Sequence, residues 1–275
     1  MVGSGRKGRT LGGTVQTITK AGQVLDLFSI ERPEWGVSEA AQALNYPKSS
    51  LSALMAALAK QGLLRQTGER RYRLGWRVMA LSRILSETTE FRVEARRAME
   101  HLVSVTGETV HLAALEANQV IYLDKLQGTR AVNVRLTYLG ARFPAHCSAV
   151  GKAILAHLPW ERALEILEEQ GMKKFTPNTI TTPENLREEL RSVRKQGYAY
   201  DFEEAEPELC CVAAPIRDHG GGVVASMSLS VPAYRFEDYR ERYRTLIVSA
   251  TQEVSKNLGY TKVKRTSRSS HVRRS

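Results

Sequence analysis

The sequence predicts an α+β protein in two unlike parts, a small helical head that ends in a hairpin and a larger body in which strands mix with helices. Three observations predict it. Apolar residues recur at helical spacing through the first third of the chain, whereas stretches of the remainder alternate with period two. Glycine and proline stand where such segments should start and stop. Charge divides at a similar point: residues 1–86 carry 13 Lys/Arg against 5 Asp/Glu, residues 87–260 carry 21 against 24, and residues 261–275 carry six basic residues and no acid. The expected organisation is a disordered basic tail (1–13), a head (14–77), a linker helix (78–90), the body (91–260) and a second disordered basic tail (261–275).

In the head, Ile18, Ala21, Leu25 and Phe28 give a first helix one apolar face, and "ERPEWG" breaks it. "VSEAAQALNY" reads as a short helix capped by Ser38, with Glu39 at the positive end of its dipole. Asn45-Tyr46 is the turn, and Pro47 suits the entry of a third helix, Lys48 to Gln61, because it has no amide hydrogen to satisfy. Leu51, Leu54 and Leu58 form the inner face of that helix, Ser49, Ser50, Ser52, Ala53 and Ala56 are left outside, and Gly62 is expected as a left-handed cap. "LLRQTGERRYRLG" then alternates as a hairpin turning at Gly68.

Two helices joined by a tight turn, followed by a hairpin, form a winged helix-turn-helix. The small polar start of its second helix lets hydroxyls and amides approach phosphates and base edges, and arginines on a wing can meet the backbone or the minor groove. With the head's surplus of positive charge, double-stranded DNA is the expected partner. The candidate contacts are Ser38, Tyr46, Lys48, Ser49, Ser50 and Ser52, with Arg70, Arg71 and Arg73 in the wing.

Other classes fit less well. No stretch of about 20 apolar residues is present, and the N-terminus lacks the apolar core of a signal peptide, so a cytoplasmic protein without a membrane partner is expected. Cys147, Cys210 and Cys211 make no disulfide framework. His146, Cys147, Asp201 and Cys211 can be assembled on paper into a nucleophilic site, and His146, Cys210, Cys211 and Asp201 into a metal site. Neither has the spacing such chemistry uses, and neither catalysis nor a cofactor is expected. An architectural DNA-binding protein would leave the mildly acidic body unexplained.

The order of motifs resembles the IclR family of bacterial transcriptional regulators from about Gln16 to Tyr260. It runs through Tyr46-Pro47-Lys48-Ser49-Ser50, Tyr72-Arg73-Leu74-Gly75, "TGETVHLAAL" (106–115), "VIYLDK" (120–125), "HCSAVGKAILAHLP" (146–159), "GYAYDFEE" (197–204), "CVAAPIRD" (211–218) and "VVASMSLSVP" (223–232). The chain departs from the family at Ser52-Ala53, where relatives commonly carry a His-Arg pair, so fewer bidentate base contacts are expected. "EAEPELC" replaces a glycine-containing turn, and the basic tail after Tyr260 is longer than typical. The resemblance implies a GAF/profilin-like body that binds a small effector, often a carboxylate or aromatic acid. It also implies a homodimer or dimer of dimers, joined partly through the helix after the wing, binding a pseudo-palindrome as a repressor or an activator.

The body's own pattern agrees with α+β. Trp76 to Glu87 and Glu90 to Val105 read as helices, the second with Phe91, Ala95, Ala98 and Leu102 on one face. Two strands flank a turn at Ala117-Asn118. Helices follow from Ser148 to Pro159 and from Thr182 to Gly197, two strands surround "DHGGG", and a last helix carries Tyr239, Tyr243, Leu246, Ala250 and Val254. Val224, Ser226, Ser228 and Ser230 share one strand face, which fits either a solvated face or a polar pocket wall. The resemblance implies the wall: Ala149, Val150, Gly151, Asp201, Cys211, Ser228 and Ser230 are the positions that match the family's effector site.

Overall fold

The structure, a computed structural model, describes residues 12–68, 71–130 and 137–261. Arg70 and most of the two basic tails lie outside the described residues. The chain divides into two compact units, Met1–Thr88 and Thr89–Ser275.

In the first unit, α1 (Gly12–Leu25) begins inside the segment assigned to the leading tail and buries Val24; Ile18, placed on its apolar face from the sequence, is 69% exposed. Ala21, Leu25 and Phe28 of that face do pack against the head's core, joined by Leu27. α2 (Val37–Leu44) and α3 (Lys48–Lys60) form the helix-turn-helix. Asn45 turns the chain in the left-handed region at φ 54°, which asparagine tolerates better than most residues. Ala40, Ala41, Leu51, Met55 and Leu58 fill the space between the helices. Ser38 does not cap α2: the cap position is Gly36, whose amide donates to Glu39 Oε2 at 3.3 Å, while Ser38 stands exposed in the first turn.

β2 (Leu64–Thr67) and β3 (Arg71–Leu74) make the wing, and β1 (Trp35–Gly36) joins the other edge of β3. The "ERPEWG" segment therefore supplies a third strand as well as a break. Gly62 caps α3 at φ 74° as expected, and Gly75 sits against it: a Cβ on Gly75 would fall 2.0 Å from the Gly62 carbonyl oxygen. The third helix and the wing's far end meet here with no room for a methyl group. α4 (Arg77–Thr88) completes the unit and buries none of its side chains.

The second unit is a six-stranded antiparallel sheet in the order β6-β5-β4-β9-β8-β7. Its strands are β4 (Thr109–Glu116), β5 (Gln119–Leu126), β6 (Arg142–Phe143), β7 (Ala199–Phe202), β8 (Leu209–Arg217) and β9 (Val223–Pro232). Ala117 and Asn118 turn β4 into β5 at positive φ, as the sequence suggests. Helices cover both faces. α5 (Glu90–Thr106) and α9 (Ala233–Asn257) enclose Val110, Leu112, Val212, Met227, Leu229 and Val231. α6 (Ala149–Leu155), α7 (Trp160–Gln170) and α8 (Pro183–Gln196) cover Ala113, Val120, Tyr122, Cys211 and Ala213. Because both faces are packed, the serine side of β9 is not solvated: Ser226, Ser228 and Ser230 are all buried. Ser148 caps α6 by accepting from the Gly151 amide (3.2 Å), and Thr182 caps α8.

Gly75→Ala is expected to destabilise the head by about 1–3 kcal/mol, because backbone must shift to admit the methyl group. Urea denaturation of the full chain reads this; an unchanged head transition would show that the α3–wing junction yields freely.

Candidate functional site

The two units present two different surfaces. On the head, α3 turns its apolar residues inward and leaves Lys48, Ser49, Ser50, Ser52 and Ala53 exposed at its amino-terminal end. No large side chain stands between this face and an incoming surface. Tyr46 is half-buried, and its hydroxyl donates to Gln23 Oε1 at 2.5 Å, tying the turn to α1. Ser38 is exposed at the start of α2.

The wing arginines are engaged within the head. Arg71 forks onto Glu39 through two contacts of 3.1 Å, and Arg73 Nε donates to Glu34 Oε2 at 2.9 Å. Arg32 adds a third donor to Glu39 at 2.9 Å. The Arg71 hydrogen bonds, the Gly36 amide and Arg32 hold the Glu39 carboxyl down at about 2. Glu39 thus fastens the wing to α2, a paired network that sequence spacing does not reveal. Each arginine is still partly exposed, but its charge faces a carboxylate as well as solvent. The fork–fork geometry of Arg71 gives orientation as much as energy.

In the second unit, residues from β5, β8, β9, α6 and the loop after β7 converge on one cleft. Ala149, Val150, Asp201, Cys211, Ser228 and Ser230 all line it, joined by Tyr122, Phe143, Ser148 and Glu206. Gly151 does not. Its amide is taken by Ser148, and a Cβ there would fall 2.2 Å from the Ala145 carbonyl, so its role is to let α6 lie against the preceding turn. The cleft encloses about 430 Å³ including space open to solvent, with room for the centre of a water molecule in only about 30 Å³. The cleft is therefore narrow.

The lining mixes apolar side chains with the hydroxyls of Ser148, Ser228 and Ser230 and the carboxyl groups of Asp201 and Glu206. His111, unnoticed in the sequence, lies behind it, its Nε2 2.7 Å from Thr137 Oγ1 and its Nδ1 3.2 Å from Ser230 Oγ. Burial, helped by Lys125, pushes His111 down to about 3, so the ring is neutral and orients two hydroxyls. Cys211 Sγ lies 3.2 Å from the same Ser230 Oγ, and burial raises the thiol pKa far above its ordinary value. Asp201 is buried and accepts from the Glu204 amide at 2.7 Å; burial first, then the neighbouring Glu204 charge, pushes it up to about 7.

Behind Asp201 lies Lys152, 1% exposed, donating to Glu204 at 2.5 Å and Glu189 at 3.2 Å. Burial works against its charge, but the two carboxylates outweigh it and keep the ammonium protonated.

The paper assembly of a thiol or metal site does not form. Cys210 and Cys211 belong to the cores on opposite faces of the sheet, and His146 Nε2 lies 3.1 Å from the Lys173 carbonyl. Among the described residues no three His, Cys, Asp or Glu side chains are grouped to hold a metal. No helix among them is long and apolar enough to cross a membrane.

Comparisons with known proteins agree with this geometry. The IclR helix-turn-helix domain matches residues 17–68, and the bacterial transcriptional regulator IclR C-terminal domain matches residues 85–256. The HTH-type transcriptional regulator XynR of Escherichia coli K12 is 32% identical over 248 residues, covering 90% of this chain and 98% of its own. KdgR of the same organism is 32% identical over 250 residues, covering 90% and 94%. The crystal structure of the Thermotoga maritima IclR is 33% identical, with a TM-score of 0.70 over 90% of this chain and 100% of its own. An IclR homolog from Microbacterium hydrocarbonoxydans, solved with 4-hydroxybenzoate, superimposes with a TM-score of 0.78 at 27% identity, covering 88% and 98%. The chain is a helix-turn-helix transcriptional regulator and not an enzyme, a member of the IclR family.

Proposed function

We propose that this regulator acts in the cytoplasm as a homodimer or dimer of dimers on a pseudo-palindromic operator, with a small organic acid as the effector that alters its DNA affinity. The observation that carries the effector reading is the convergence of Ser148, Ser228, Ser230 and Asp201 with Tyr122 and Phe143 on one cleft. Hydroxyls can bind a carboxylate while the aromatic walls hold an apolar body. The relative solved with 4-hydroxybenzoate supports an aromatic acid as the first class to try. The narrowness of the cleft implies that binding spreads its walls, which is how occupancy can favour one conformation over another.

On the head, α3 enters the major groove with Lys48, Ser49, Ser50 and Ser52 toward the DNA, Ser38 and Tyr46 flank it, and the wing with Arg70, Arg71 and Arg73 lies along the backbone. The pairing of Arg71 and Arg73 with Glu39 and Glu34 adds that they hold the wing in place as they meet phosphate. A second copy covers α4, whose Met79, Leu81 and Ile84 are 48% to 65% exposed.

Selection of random duplexes by the full chain at near-physiological salt is expected to return a palindromic motif. Enrichment of no motif, with binding lost as salt rises, would sink the operator reading. Lys48→Ala should reduce the salt slope of DNA binding by about one while leaving the fold intact. Arg71→Ala should lower the thermal midpoint as well as DNA affinity; loss of affinity at unchanged stability would show that Glu39 does not depend on it.

Asp201 gives the cleft a pH dependence whose sign follows from its position. Below about 7 it is neutral and can donate to an effector carboxylate; above, two carboxylates repel. Affinity for 4-hydroxybenzoate, read by calorimetry, should fall between pH 6 and pH 8, and Asp201→Asn should flatten that fall. The same group is raised from 3.8 on folding, so its contribution makes the body less stable as pH rises from about 4 to about 7. A Ser228→Ala, Ser230→Ala variant binding as tightly as the parent would remove the cleft from the assignment.

A further inference from the structure

We propose that the second unit carries a second ligand site, a cationic groove built for a small, multiply charged anion of the phosphate-ester class. The groove lies where the carboxyl-terminal ends of α8, β8 and α9 meet, away from the residues that line the cleft. Arg194 and Lys195 reach it from the last turn of α8, Arg217 from the end of β8 and Lys256 from the last turn of α9. It offers about 720 Å³ on the measure that gives the cleft about 30 Å³, so it stands open without rearrangement.

The charge in this groove is not balanced from within. Among the described residues no carboxylate lies within 4.0 Å of the side-chain nitrogens of Arg194, Lys195, Arg217 or Lys256. The two helix ends contribute roughly half a negative charge each, which leaves most of the four positive charges without a counterpart. No acidic residue is among the groove's lining.

Arg217 is held ready for a ligand. One of its nitrogens donates to the Gly221 carbonyl at 2.9 Å, and its guanidinium stands 5.8 Å from the centre of the Tyr260 ring. Its other terminal nitrogen is 3.1 and 3.2 Å from the two ring nitrogens of His157, which can serve as an acceptor only while neutral. Burial, then the charges of Arg217 and Arg194, push His157 down to about 4, so the imidazole is uncharged and free to accept. The chain leaves the groove at Thr261, and six more Lys/Arg follow in the sequence. A phosphate ester carries the charge density and the acceptor oxygens that converging Arg and Lys donors recognise.

Titration of the full chain with inorganic pyrophosphate at about 0.15 M salt tests the site, because diffuse attraction is screened at that strength. Calorimetry should give saturable binding of one pyrophosphate per chain. The histidine NMR resonances should show the His157 pKa rising by at least about one unit, the direction an added anion imposes. Arg194→Ala with Lys256→Ala, both exposed and removable without unfolding, should weaken binding about tenfold. The Ser228→Ala, Ser230→Ala variant should bind pyrophosphate as the parent does. Non-saturating binding, full affinity in the Arg194/Lys256 variant or an unmoved His157 would overturn the proposal. So would affinity lost on deleting 262–275 alone, which assigns the anion to the tail, or displacement by random duplex DNA at equal phosphate, which assigns the groove to nucleic acid.

Discussion

One ammonium group organises the body. Lys152 is the only charged residue in α6, a helix buried along its whole length, and an unpaired cation there would cost several kcal/mol. Glu204 and Glu189 must therefore come to it, and in doing so they fix two walls. Glu189 ties α8 to α6. Glu204 anchors the loop after β7, where the Thr179 hydroxyl donates to the Glu204 carbonyl and the Glu204 amide donates to Asp201. The cleft exists because this loop is held over the sheet. Asp201 feels these charges in opposite senses: burial and then the Glu204 carboxylate raise its proton affinity, while the Glu204 amide and the Lys152 ammonium lower it.

The head solves a related problem with exposed groups. A wing of two short strands has little core of its own, and Tyr72 is the one wing aromatic that it buries. Glu39 at the start of α2 supplies the missing attachment by gathering Arg71, Arg32 and the Gly36 amide. Exposed ion pairs contribute little singly, but a forked arginine on a shared carboxylate restricts direction, which is what a wing needs.

Much of this was legible in the sequence, and the gaps have physical causes. Helix ends marked by local chemistry were readable: Ser148, Thr182, Gly62 and Gly197 stand where caps require them, because capping is decided within a few residues. Six of the seven positions implied by the family motifs line the cleft, and local pattern does not single them out, since the alternation of Ser226, Ser228 and Ser230 is the same for a solvated face and a buried one. His111 gave no signal, for its partners are Thr137 and Ser230, 26 and 119 residues away. Nothing near Lys152 in the sequence marks it, because its carboxylates lie 37 and 52 residues on. Ile18 was assigned inward on spacing alone, and the head's core chose Val24 instead. The two-residue strand at Trp35 was too short to show any period.

The bare outer face of α3 carries a consequence of another kind. Serine and alanine lose almost no rotamer entropy when immobilised, so Ser49, Ser50, Ser52 and Ala53 can be apposed to another surface at little conformational cost. None of them contributes to the helix's inner packing, which rests on Leu51, Met55 and Leu58. The exposed face and the packed face are therefore made by separate residues of the same thirteen-residue helix. A substitution at Ala53 or Ser52 therefore alters the surface that α3 presents and leaves its inner packing as it is.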